Sequence, residues 1–273
     1  MEQGKKRRIF IMDNCSLKRL ITLLFIRIVF LVSFQLLFAL VLSWDKAMPW
    51  WPFSMIATET VCLIILIIQL KKEKRPFVSI QLTPFTTFLP LGKVAGYLNR
   101  KSPKNRVPDF LMDILLFLIF LLLLGIPAIM LNEFMSQNIS VLRDTNTIGV
   151  LPGWALYLMI ILLPLTQAFV EFPWFYGYIY PRLETYFETA GKNRRIVASM
   201  KALSITLAFF VLQAALIPLI MNPCYIFWRA IASIPLLLII GFVVRLVPRF
   251  MPGVNIVHAL MAINVVLQYW KIK

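Results

Sequence analysis

A carboxylate at the end of a long apolar run is the residue in this chain with the clearest capacity for chemistry. Glu171 opens the stretch EFPWFYGYIYPRLE and directly follows the apolar residues from Leu151 onward. An ionised group at bilayer depth costs roughly 2.5 to 3.5 kcal/mol at a helix centre on insertion scales, so a retained one needs a partner, a cavity or a task. A carboxylate in such surroundings is a candidate proton acceptor. Two further polar groups lie within apolar segments: Gln213, and His258, the single histidine of the chain. With one histidine, an HExxH helix and every two-histidine zinc site are excluded. Cys15, Cys62 and Cys224 are scattered without CxxC spacing, so neither a thiolate metal site nor a disulfide framework is indicated. No glycine-rich phosphate loop is present, and no cofactor is expected.

Composition says what must carry these groups. Sixty per cent of the 273 residues are hydrophobic, 15% are charged and mean hydropathy is +0.82, whereas soluble domains carry roughly one quarter charged residues. The expected fold is therefore all-α, a polytopic transmembrane bundle of about seven segments. The net charge of +16 lies in clusters between apolar runs, where it sets topology. A lipid surface is accordingly the expected anionic partner, and nucleic acid is not.

Spans are expected at about Leu20 to Trp44, Ser54 to Leu70, Phe110 to Leu131, Leu151 to Arg182, Ala202 to Met221 and Tyr225 to Val247. A shorter seventh apolar segment, Val254 to Trp270, either crosses or stops part-way. The run from Leu20 is too long for a signal peptide and is read as a retained helix. Lys5 to Arg8, the KKEKR run after Leu70, the basic residues 76–109 and the group Lys192 to Lys201 alternate with cation-poor loops. This places the amino terminus in the cytoplasm, in the cell membrane. Residues 76–109, with a short amphipathic helix near Leu91 to Leu98, read as a connection lying on anionic headgroups. The organisation is then a two-helix region with its basic connection over 1–109 and a bundle over 110–273. The loop Asn132 to Val150 carries the sequon Asn138-Ile139-Ser140. The fourth helix is too long for the hydrocarbon core and must tilt, kink or project, with Pro173 supplying a kink.

From Glu171 the string resembles the first motif of the CPBP family, the CAAX prenyl protease 2 and bacteriocin-processing intramembrane glutamic endopeptidases, commonly EExGWRGYLLPRL. Glu171, Gly177, Tyr178, Pro181, Arg182 and Leu183 agree with it, while Phe172 replaces the second Glu and Tyr176 the Arg. A second motif, Phe-x-x-x-His followed by Pro-Leu, is similar to Phe209 to Gln213 and then Pro218-Leu219, with Gln213 in the histidine's place. The last motif, His-x-x-x-Asn, is similar to His258 to Ala262, with Ala262 in the Asn's place. The resemblance covers about residues 150–270. It implies that Glu171 activates water and that His258 stabilises an oxyanion. Gln213 cannot take up a proton, and Ala262 cannot donate to an oxyanion, a loss of about 10²- to 10³-fold in rate. Asn264 faces elsewhere on its helix.

Three functions follow as expectations. The first is an impaired intramembrane endopeptidase that binds a peptide, a lipidated tail or a membrane-protein partner in a cytoplasm-facing cavity. The second is an active metal-independent endopeptidase with Glu171 as base and His258 as its partner. The third is a transporter or a structural bundle. Blander roles stand beside these. Glu171 would pair with Arg182 on nearly the same helical face, His258 would bond a backbone carbonyl, and Gln213 would join helices. Glu59 and Asp113 would snorkel or pair locally near span ends. The aromatic run from Trp174 to Tyr180 would first be an interface belt and second a substrate groove.

Overall fold

The computed structural model describes residues 16–77, 79–80, 115, 117–141, 151–189, 194–247 and 250–271. Lys5 to Arg8, most of the basic connection 76–109 with Leu91 to Leu98, Asp113 and Lys192 lie outside the described residues, as do the side chains of Arg195 and Trp270. Among the described residues there is no strand; the chain is a bundle of helices. Six are long and apolar enough to cross a membrane, and a seventh apolar helix is shorter. This is a multi-pass integral membrane protein, and helices satisfy the spanning backbone within each segment.

Helix α1, Leu17–Leu42, starts at Ser16, whose hydroxyl accepts from the Arg19 N–H at 3.2 Å. A one-turn helix, Trp44–Ala47, and a 3₁₀ turn, Met48–Trp50, lead into α2, Trp51–Lys72, which ends on Lys71 and Lys72. The next span, Phe117–Asn138, has a π-helical turn at Leu121–Gly125 followed by α3, Ile126–Asn138. Only 6% of its apolar window is buried, and Leu122, Leu123 and Phe134 point outward as a lipid-facing surface. The residues Asn132 to Asn138, expected in a loop, continue this helix; Ser136 and Asn138 side chains bond carbonyls one turn back within it.

The fourth span is a helix from Gly153 to Thr189, 37 residues, extending past the expected end at Arg182. It comprises α4, Gly153–Thr166, two π-helical stretches, Gln167–Glu171 and Pro173–Ile179, and α5, Tyr180–Thr189. Wide π turns accommodate Pro173, which has no N–H to give to the regular ladder. Then α6 runs Arg195–Ala215, α7 Pro223–Leu246 and α8 Met251–Lys271. Helix α6 stops six residues short of the expected Met221 because Pro218 cannot continue it. Gln35 of α1 satisfies the freed backbone: its Nε2 donates to the Leu216 carbonyl at 2.9 Å, and its Oε1 accepts from the Leu219 N–H at 2.7 Å. Asn222 caps α7, accepting from the Cys224 and Tyr225 N–H groups. Helix α8, at 21 residues and 1.5 Å each, is about 31 Å long, the thickness of a hydrocarbon core.

The main core lies where the π-helical stretches meet α1, α2, α6 and α7, with Leu24, Leu66, Trp174, Tyr176, Phe210 and Val244 buried. Phe175 and Phe210 stack at 4.2 Å between centroids. Trp174, Phe175, Tyr176, Tyr178 and Tyr180 are at most 1% exposed, so the aromatic run is core rather than an interface belt. The physical reason is position: this part of the helix runs through the centre of the bundle, surrounded on every side.

Candidate functional site

The π-helical stretch Gln167–Glu171 ends on Glu171, which the wide turns direct into the bundle interior. Its two carboxylate oxygens have different partners. Glu171 Oε2 lies 2.6 Å from His258 Nε2 on α8. Glu171 Oε1 accepts from Gln213 Nε2 on α6 at 2.5 Å. The three polar residues singled out in the sequence therefore meet at one carboxylate. His258 bonds that acid rather than a backbone carbonyl, because α8 packs alongside the Glu171 turn.

Two residues that the sequence analysis did not place here complete the network. Arg27, in the middle of α1, and Glu59, in α2, are both 0% exposed. The Arg27 guanidinium grips Glu59 through both terminal nitrogens, with Nη1 to Oε2 at 2.9 Å. Its Nε donates to Gln213 Oε1, and Nη2 lies 3.6 Å from Glu171 Oε1. Glu59 is thus not a span-end carboxylate pairing locally but a fully enclosed counter-ion. The signal was an Arg and a Glu within adjoining apolar spans, a costly pair of residues that only mutual contact makes tolerable. The guanidinium also lies 5.2 Å from the centre of the Phe175 ring.

One guanidinium faces two carboxylates: Glu59 engages both of its terminal nitrogens, and Glu171 shares Nη2 at 3.6 Å while its other oxygen meets the imidazole. The Glu171 side chain is 5% exposed and that of His258 17%. The imidazole is therefore the member that faces open space. It lines two clefts. One is walled by apolar side chains including Phe117, Phe120, Leu236 and Val254. The other also borders Gln167, Asn264, Ala262 and Trp51.

The remaining motif positions have packing roles. Phe172 lies against the imidazole, 4.3 Å between ring centres, and edge-on to Phe210 at 5.5 Å. An apolar ring thus stands where the resembled motif has a second acid. The Tyr176 hydroxyl donates to the Leu237 carbonyl at 2.8 Å, tying the stretch to α7. A Cβ added to Gly177 would lie 2.6 Å from the Ile80 carbonyl oxygen, so only glycine permits this approach. Pro181 follows within α5. Arg182 does not pair with Glu171. It pairs with Glu73, donates from Nη1 to the Tyr178 carbonyl at 2.8 Å and lies over the Tyr178 ring at 3.6 Å. The Tyr178 hydroxyl donates to the same Glu73 at 2.8 Å. Eleven residues of regular helix would align Glu171 with Arg182, but the intervening π turns change that register.

Chemically, this site can hold a proton between Glu171 and His258 and present the imidazole to a cleft. Gln213 supplies an amide N–H where a titrating group would be needed for a second proton transfer. Ala262, buried one turn beyond His258, offers no hydrogen-bond donor. Among the described residues no group of three His, Cys, Asp or Glu side chains is placed to hold a metal ion. No family model matches this chain, and neither a curated protein nor a solved structure does so.

Proposed function

We propose that this membrane protein is CPBP-like, a catalytically impaired relative of the intramembrane glutamic endopeptidases. In this reading it binds a peptide, a lipidated tail or a segment of a membrane partner in the clefts beside His258. The observation that carries the reading is the 2.6 Å contact between Glu171 and His258 at the edge of an apolar cleft. That contact joins the first and last stretches of the resemblance through space. The impairment rests on chemistry: Gln213 does not titrate near neutral pH, and Ala262 leaves an oxyanion one donor short. Under this proposal the amino terminus lies on the cytoplasmic side of the cell membrane, a reading supported by the alternation of cation-rich and cation-poor segments in the sequence.

A second reading, an active metal-independent endopeptidase, is favoured by the same acid and imidazole being already in contact. Glu171 would act as base and His258 as its partner. The transporter alternative loses support from the meeting of the helices that carry Glu171 and His258.

Full-length protein in lipid nanodiscs, incubated with a fluorescent farnesylated tail peptide and a fluorescent leader peptide, separates the readings. Binding without cleavage, weakened by Glu171→Ala, is expected. Cleavage by the native chain that Glu171→Ala abolishes would replace this reading with the active one. Neither binding nor cleavage would defeat both. Gln213→His together with Ala262→Asn is expected to bring hydrolysis above background, because these changes supply a titrating group and an oxyanion donor.

A further inference from the structure

We infer that Arg27, on the first helix and outside the stretch carrying the CPBP resemblance, is a positioning residue for the Glu171 and His258 pair, and the inference rests on their being the working pair. An amide presents either its oxygen or its NH₂ to a neighbour, and the two ends have opposite hydrogen-bonding character. A guanidinium has only donors. By donating from Nε to Gln213 Oε1, Arg27 decides which end of the amide faces it. Gln213 is left with its NH₂ toward Glu171, where it donates to Oε1 at 2.5 Å. That bond occupies one carboxylate oxygen and leaves Oε2 for His258 at 2.6 Å.

Reversed, the Gln213 carbonyl oxygen would face a carboxylate, two acceptors with no proton between them, and Glu171 would have reason to turn away. Glu59 fixes the guanidinium in turn by engaging both terminal nitrogens, leaving Nε as the donor for Gln213. The order of influence runs from Glu59 through Arg27 and Gln213 to Glu171 and the imidazole. Each link is buried: Arg27 and Glu59 at 0% exposure and Gln213 at 1%. Water therefore does not compete for these bonds, and each is stronger than on a surface. The arrangement makes the first two helices part of the site.

Because His258 is the single histidine of the chain, its imidazole nitrogens can be followed in full-length, histidine-¹⁵N-labelled protein in nanodiscs without any substrate. Arg27→Gln combined with Glu59→Gln removes the ion pair as a unit and avoids stranding the Glu59 carboxylate, while Gln213 and His258 remain beside Glu171. Arg27→Lys keeps the charge but loses the fork. Both are expected to shift the ¹⁵N resonances of His258 from their native positions, and Gln213→Leu to shift them likewise. Glu73→Gln, which breaks a distant ion pair, should leave them in place. In the same preparations Arg27→Lys should weaken farnesylated-peptide binding about tenfold, the equivalent of one hydrogen bond. Native imidazole resonances in a folded Arg27→Gln/Glu59→Gln protein would overturn the inference. So would failure of both Arg27 variants to fold, since Arg27 would then be structural support alone. A native chain that binds no peptide would count against the proposed function, while the resonance shifts would still report positioning.

Discussion

Two regions of this bundle bury guanidinium and carboxylate together, and they are built to opposite ends. Toward the Lys71 end of the bundle, Arg182 pairs with Glu73 and Arg245 with Glu184. Neighbouring groups reinforce each pair: Tyr178 donates to Glu73, and Arg245 Nε donates to the Ser199 hydroxyl at 3.1 Å. Each guanidinium meets a carboxylate from another helix or helix end, as in a lock between helix ends. In the interior, Arg27 faces both Glu59 and Glu171. Matched pairs hold helices in register, whereas in the interior the acid Glu171 is joined to an imidazole that lines a cleft and can exchange a proton or meet a ligand there. A shared guanidinium and a cleft-lining imidazole thus distinguish the candidate site from the pairs of Arg182 with Glu73 and Arg245 with Glu184 although all are well buried.

The contrast is broken most severely at its centre. Arg27→Ala leaves two carboxylates in the interior without a cation and should cost about 3–5 kcal/mol, the usual penalty for removing one partner of a buried pair. Loss of monodisperse protein on detergent extraction, together with a lowered thermal midpoint, would register it. An unchanged midpoint would mean that the cluster is not the enclosed network described. In the same fourth helix, Gly177→Ala forces a methyl group to 2.6 Å from the Ile80 carbonyl oxygen. Overpacking against backbone of this kind costs about 1–3 kcal/mol, measurable by thermal unfolding, and a native-like variant would show that Ile80 does not rest there.

Smaller effects sharpen the comparison. Glu73→Gln removes the anion facing Arg182, whose side chain is 2% exposed against 11% for Glu73. Partial contact with solvent softens the loss toward the lower end of the about 1.5–3 kcal/mol typical of charge-assisted hydrogen bonds. Peptide binding at the central site should survive this change, since the lock and the site do not share residues. A binding loss as large as that of Glu171→Ala would merge the two regions into one. Tyr176→Phe deletes one hydrogen bond, to Leu237, and should cost about 1 kcal/mol in thermal unfolding. A much larger effect would mean that the hydroxyl also supports the site.

Much of this was legible from residue types alone. Apolar runs of membrane length bounded by cationic clusters specify a polytopic helix bundle, because no other spanning structure satisfies the backbone of such sequences. Glu171, Gln213 and His258 were visible as polar groups where polar groups are costly, and they meet. The register within the fourth helix was not legible. Ideal spacing aligns Glu171 with Arg182, but the π turns before and after Phe172 separate them, and Arg182 pairs with a residue 109 positions away. Nor was the aromatic run: Trp and Tyr near a span end suit an interface, and only the surrounding helices show that Trp174 to Tyr180 are enclosed.

The amino-acid order by itself determined the material of this protein, its spans and the few polar groups it could not hide. Those follow from transfer energies that each segment experiences independently. Which cation answers which anion was decided only by tertiary structure. Arg27 reaches Glu59 across 32 positions and Gln213 across 186, and no local rule carries a contact over such separations. A charge buried in a bundle is tolerable only where another helix happens to bring its partner, so the site exists as a property of the packing rather than of any one stretch.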